Sequence, residues 1–235
     1  MQRNVKTMLT LAVIGFAFSW AAANNYFQAA LWAPKLQLVP ANQDVTGLRL
    51  NIYGENTIVR GVDLGIYNRT ELDLTGFQWG IVNETGGDVT GYSGAFYNEI
   101  GGRMVGIAGG IVAVVEGGGV GLLGGLYSQA GGDFTGLHIG VVPHDLGLTK
   151  GAQWGLVGFA RDVEGVQFNA FFSRSSGEVT GLQAAFFVNY VVALNGLQLG
   201  LLNIAEGGYG LQIGLVNVIL SKENLPVLPL VNWTF

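Results

Sequence analysis

"GLQLGLLNIAEGGYGLQIGLVN", residues 196–217, holds one eight-residue phrase twice, with its two opening glycines fourteen residues apart. Sliding that phrase back along the chain finds "GLQAAFFV" at 181, "GVQFNAFF" at 165, "GAQWGLVG" at 151, "GLHIGVVP" at 136 and "GLLGGLYS" at 121. It continues through "GIAGGIVA" at 106, "GYSGAFYN" at 91, "GFQWGIVN" at 76, "GVDLGIYN" at 61 and "GLRLNIYG" at 47. The repeats therefore cover 47–218 in twelve copies, spaced 14 to 16 residues apart, each opening on glycine. A fixed period of this kind identifies a repeat architecture before any single element is considered.

Counting each copy from its glycine as position 0, positions 1, 3 and 5 are predominantly apolar, with Thr frequent at −1 and Asn at 7. Position 2 is mostly Gln, position 4 is small, and position 6 is often Tyr, Val or Phe. Alternation of period two predicts strands, each about ten residues long from −2 to 7. The remaining residues, such as "ETGGD" (84–88) and "QAGGD" (129–133), are turn-forming.

Two all-β architectures fit. The expected one is an antiparallel transmembrane β-barrel of about fourteen strands, its apolar face toward lipid and position 2 toward a lumen. Antiparallel pairing would set the glycine of one strand opposite the aromatic at position 6 of the next, a known small-opposite-large device. The alternative is a β-solenoid with one 15-residue coil per repeat, in which identical residues stack. Both strand faces carry large apolar residues and a 15-residue coil has a narrow interior, which favours the barrel. So does the C-terminal strand, 225–235. It ends "PLVNWTF", with Phe235, Trp233 and Val231 alternating against polar neighbours. That ending is similar to the assembly signal of bacterial outer-membrane barrels, and it implies the barrel-assembly machinery and outer-membrane lipid as partners.

Composition bounds the class. Of 235 residues 49% are hydrophobic and only 11% charged, where a soluble fold carries about 25% charged residues. Much of the surface is therefore expected to face something other than water. A net charge of −5 excludes a nucleic-acid partner. The absence of cysteine excludes disulfides and thiolate metal sites. Arg3 and Lys6, the apolar run Met8–Trp20 and the small residues Ala21–Ala23 read as a cleaved signal peptide over 1–23, leaving 24–235 as a single repeat-built domain.

The tandem "GLQLGLLN…GLQIGLVN", the "VTGLRLNIYGEN" at 45–56, the "RGVDLGIYN" at 60–68 and the closing "LPLVNW" at 228–233 carry a resemblance. Together they are similar to bacterial surface-repeat proteins of the leptospiral type, which carry tandem GLQ(I/L)GL(I/V)N units behind a signal peptide. The resemblance spans almost the whole mature chain. It implies a cell-surface or outer-membrane location and brings no catalytic residues.

Several features look like chemistry. Gly119, Gly121 and Gly124 have the G-x-G-x-x-G spacing of a dinucleotide turn, but turn and strand follow instead of a helix. The glycines are read as repeat positions, and no cofactor is expected. His144–Asp145 is a fragment of a metal or triad site without an identifiable third member; His144 is read as a turn residue and His138 as an inward polar one. Position 2 forms a candidate lumen ring of Arg49, Asp63, Gln78, Ser93, His138, Gln153, Gln167, Gln183, Gln198 and Gln212. Gly94, Gly109 and Gly124 leave position 3 bare in three successive copies, a smooth patch where a second subunit or a lipid could sit. The expected role is structural or that of a passive small pore, not enzymatic. The alternative is a solenoid surface module for adhesion or binding.

Overall fold

The computed structural model describes residues 25–234. The expected signal peptide and Phe235 lie outside the described residues. Strands run from Phe27–Trp32 near one end to Val227–Thr234 at the other, joined in one sheet. Among the described residues there is no helix.

The pairing decides the architecture. Gly47 lies beside Gly61, Gly61 beside Gly76, Gly76 beside Gly91 and Gly91 beside Gly106, in parallel register. The same alignment continues through Gly121 and Gly136 and joins Gly181, Gly196 and Gly210. Phe134–Ala185 is one continuous strand that passes through several coils. The protein is thus a β-solenoid of stacked coils of about 15 residues, and the expected antiparallel barrel is incorrect. An antiparallel meander would pair each copy with its neighbour in reverse. Here each residue meets its own equivalent one repeat away. Coils are numbered 1 to 12 below, from Gly47 to Gly210.

Two local features explain how a ten-residue apolar-alternating segment closes into a coil. The first is a corner. Positions −2 and 2 face inward (Val45 and Arg49, Val59 and Asp63), but after position 5 the phase slips by one. Ile66 and Tyr67, at 5 and 6, both face out, while Asn68 and Thr70, at 7 and 9, are buried. The segment expected as one straight strand is bent there. Position 6 residues consequently lie one above another along the rod, with the Tyr53 and Tyr67 rings edge to face at 4.9 Å, and do not cover glycines.

The second feature is the glycine of position 0. Gly121 has φ +136°, and a Cβ on it would lie 1.9 Å from the carbonyl oxygen of Gly106 in the preceding coil. Gly61 stands in the same relation to Gly47 O at 2.2 Å. The backbone there directs its missing side chain along the stack and not to either side, so no other residue fits.

The ends of the stack are closed differently. Phe27–Trp32 adds a parallel rung before coil 1, with Gln28 beside Arg49. Val227–Thr234 adds an antiparallel rung after coil 12, with Asn232 beside Gln212. These rungs cover the edges that an open sheet would present for further pairing.

The glycines of the G-x-G-x-x-G stretch separate in consequence. Gly121→Ala is expected to destabilise the fold by about 2–4 kcal/mol, since it adds a clash to a strained φ. Gly124→Ala, three residues away, should be neutral or stabilising by up to about 1 kcal/mol; a Cβ there meets nothing closer than 3.5 Å. Urea unfolding midpoints of the two variants compared with wild type check this. Equal losses would refute it.

Candidate interaction surface

The outer face carries positions 1, 3 and 5 as three columns along the stack. Leu48, Val62, Phe77 and Ile107 at position 1, Leu50, Leu64, Trp79 and Trp154 at position 3, and Ile52, Ile66, Phe96 and Leu126 at position 5 are all exposed. The backbone groups beneath them pair with the coils above and below. The face therefore offers apolar side chains over a satisfied backbone.

Position 3 is interrupted at Gly94, Gly109 and Gly124. Their backbone does not have left-handed φ. A Cβ on Gly109 would come no closer than 3.3 Å to any heavy atom, against 1.9 Å at Gly121. At Gly94 the nearest atom is the movable tip of Tyr92, whose ring stacks on Phe77 at 4.8 Å. Gly94 is buried beneath that ring, so it is Gly109 and Gly124 that leave a trough in the face, bordered by Ile107 and Leu122 on one side and Ile111 and Leu126 on the other. Trp79 and Trp154 stand beyond its two ends, each 54% exposed.

Past the corner the surface changes character. Arg69 lies 3.5 Å from Glu55 and 3.9 Å from Glu84. The Tyr97 hydroxyl donates to Glu99 at 2.6 Å. That bond, aided by burial, pushes the Tyr97 hydroxyl up to about 12. Glu71, Glu84, Glu99 and Glu116 line one acidic depression on this side.

The ten polar position-2 residues all lie inside the stack, fully buried. They form a column along the solenoid axis, one per coil, and do not ring a barrel lumen. Their amides join end to end. Gln212 donates to Gln198, Gln198 to Gln183, Gln183 to Gln167 and Gln167 to Gln153, at 2.7 to 2.8 Å. Gln153 then donates to Asp145 Oδ2 at 2.8 Å. A second, shorter chain runs from Ser93 to Gln78 to Asp63. Each ends on a carboxylate, the acceptor-only group that a one-directional donor chain requires. Arg49 holds Asp63 through two bonds of 2.7 and 2.6 Å. Between the two chains position 2 is Ala108 and Leu123, packed with Met104 and Phe134 in an apolar section.

The buried Asn residues at and near position 7 make a parallel column. Asn68 donates to Asn83, and Asn189 to Asn203 to Asn217. The small residue at position 4 makes room for it: a Cβ on Gly80 would lie 2.6 Å from both Asn68 Nδ2 and Asn83 Oδ1. Sequence reasoning missed Gln28 and Asn232, which occupy the column's place in the two end rungs and are fully buried.

The histidine reading is also revised. The partner of Asp145 is His138 and not His144. His138 Nδ1 lies 2.6 Å from Asp145 Oδ1, and its Nε2 lies 2.7 Å from Ser128 Oγ. Ser128, His138 and Asp145 sit at positions 7, 2 and 9, all inward, so a coil-by-coil projection would have joined them. The spacing is that of a hydrolytic triad. All three side chains are sealed, however, and a nucleophile needs an open approach for its substrate. The trio serves as the terminus of the glutamine chain, with Thr149 giving Asp145 another donor at 2.8 Å. Val231 and Trp233 face outward in the end rung, beside Ile213 and Leu211.

Asp63→Asn should cost about 3–5 kcal/mol, because it strands the buried Arg49. Asp145→Asn should cost about 2–4 kcal/mol, because one face of the amide turns a donor toward donors. Circular dichroism melts at neutral pH read both. A loss below 1 kcal/mol at Asp63 would contradict the assignment.

No family model matches the chain, and no curated protein or solved structure is similar to it.

Proposed function

We propose that this protein is a β-solenoid surface module that acts by binding through its apolar outer face. The observation that carries the reading is that positions 1, 3 and 5 build outward-facing, largely apolar columns along the twelve coils, with position 3 interrupted at its three glycines. Monomeric proteins keep such patches to about 300–600 Å², and the side chains here are not needed for the core. The core is filled from the other phase of the strand, by the amide columns and the inward residues of positions −2 and 9.

An exported protein fits the reading. The basic, apolar and small-residue run at the N-terminus and the resemblance to surface-repeat proteins both imply a working protein outside the cytoplasm. There a rigid rod that displays one long face suits attachment. Among the described residues the interior is filled by the hydrogen-bonded amides of position 2 and by the apolar section around Ala108 and Leu123.

Hydroxyl-radical footprinting of exported protein in a native envelope preparation tests this. Trp79, Phe96 and Trp154 should be oxidised at least about five times more slowly than in a variant carrying Leu64→Glu, Ile66→Glu and Ile111→Glu, because a partner covers them. Tyr97, on the acidic side, should react equally in both. The triple variant should keep its unfolding midpoint, as exposed substitutions shift stability by about 0.5 kcal/mol each. If the wild-type tryptophans are oxidised as fast as those of the variant, the face is bare in use and the reading falls.

A further inference from the structure

We propose that the occupant of the apolar face is a second copy of this chain, packed antiparallel. The twofold axis would lie in the interface, along the strands, midway between coils 6 and 7. The inference rests on the reading of this face as an interaction surface and names its partner.

The glycines of position 3 carry the argument. At positions 0 and 4 glycine or a small residue answers a contact inside the stack. At Gly124 the stack makes no such demand and at Gly109 only a slight one, the nearest atoms to an added Cβ being carbonyl oxygens at 3.5 and 3.3 Å, and glycine weakens a strand. Their explanation must come from outside the coil. The proposed axis supplies it. Each coil then faces the coil whose number completes thirteen, and each position faces its own equivalent. Gly109 of coil 5 meets Trp154 of coil 8. Gly124 meets Ile139. Trp79 of coil 3 meets Ala184 of coil 10, a recessed small residue. The flanking columns behave likewise: Ile107 faces Ala152 and Phe96 faces Ala170.

This match covers the whole rod, because the axis falls at the centre of the twelve coils. The end rungs also correspond, the rung containing Ala29 facing the one containing Val231. The other face-to-face twofold, with its axis along the rod, fails. It would set each tryptophan on its own copy and the bare Gly109 and Gly124 on themselves.

Area and charge agree. Fourteen rungs at strand spacing and four residues of strand rise give a face of about 60 Å by about 13 Å, roughly 800 Å². That equals the share of one partner in a stable interface, about 800 Å². At the −1 edge Arg60 would face Asn195, Lys150 would face Val105 and Glu164 would face Thr90, so no like charges meet. A lipid surface fits less well. The chain carries a net charge of −5, and the edge of the face has no run of basic residues to hold anionic headgroups.

Sedimentation equilibrium of the purified full chain without detergent should show twice the chain mass. Gly109→Trp fills the trough, and Trp154→Gly removes the knob. Each should weaken dimerisation at least about 30-fold. The double variant G109W/W154G exchanges knob and hole, and it should return to within about tenfold of wild type. Circular dichroism verifies that the variants remain folded; Gly109 has room for a side chain. A monomeric wild type, or a G109W variant that dimerises as well as wild type, overturns the proposal. A monomeric chain that floats with phosphatidylcholine vesicles assigns the face to lipid, which overturns the dimer while keeping the binding reading. A monomeric chain whose tryptophans are also unprotected in the envelope preparation overturns both.

Discussion

At position 0 of coils 2 to 11 the space for a β-carbon is occupied by the carbonyl oxygen of the coil before. Gly61 against Gly47, Gly121 against Gly106 and Gly196 against Gly181 all show this contact at about 2 Å. The glycine column is a register lock. Any slip of one residue would bring a side chain into the place of that oxygen. Once the register is held, every other position meets its own kind. The amide columns, the stacked rings and the apolar outer columns all follow from that alignment.

The interior uses the alignment in two opposite senses. The glutamines of position 2 donate toward the N-terminal end, from Gln212 back to Gln153. The asparagines donate the other way, from Asn189 to Asn217. The two rows of amide dipoles therefore oppose each other. A one-way row must end on a group that only accepts, and Asp145 and Asp63 fill those places. At the far end of the longer row Gln212 Oε1 finds no donor among the described residues, as the direction of donation requires. Ser128, His138 and Asp145 belong to this scheme. They have hydrolase spacing because an inward coil geometry brings positions 7, 2 and 9 together, and burial keeps them from acting as one.

The outer surface divides by the same corner that closes the coil. Before it, positions 1, 3 and 5 build an apolar face with a two-glycine trough at Gly109 and Gly124. After it, Glu55, Glu84 and Glu99 build an acidic one. A rod with one dry face and one charged face has a built-in orientation. The face with the unexplained glycines is the one shaped to meet its own reverse.

The twelve glycines, the 15-residue period and the strand character were plain in the sequence, as was the inward phase of Arg49, Asp63 and the glutamines. The partner of each strand was not. Period-two alternation is the same whether a strand meets its neighbour in parallel or in reverse, and an apolar outer face suits lipid as readily as another protein. The slip between Ile66 and Tyr67 carries no signature of its own in a single repeat. The sequence by itself determined the repeat unit, the strands and the small residues that any close stack would need. Only the tertiary structure decided that like lies on like. Whether a carbonyl or a side chain fills the place above a glycine depends on residues fifteen apart being brought together.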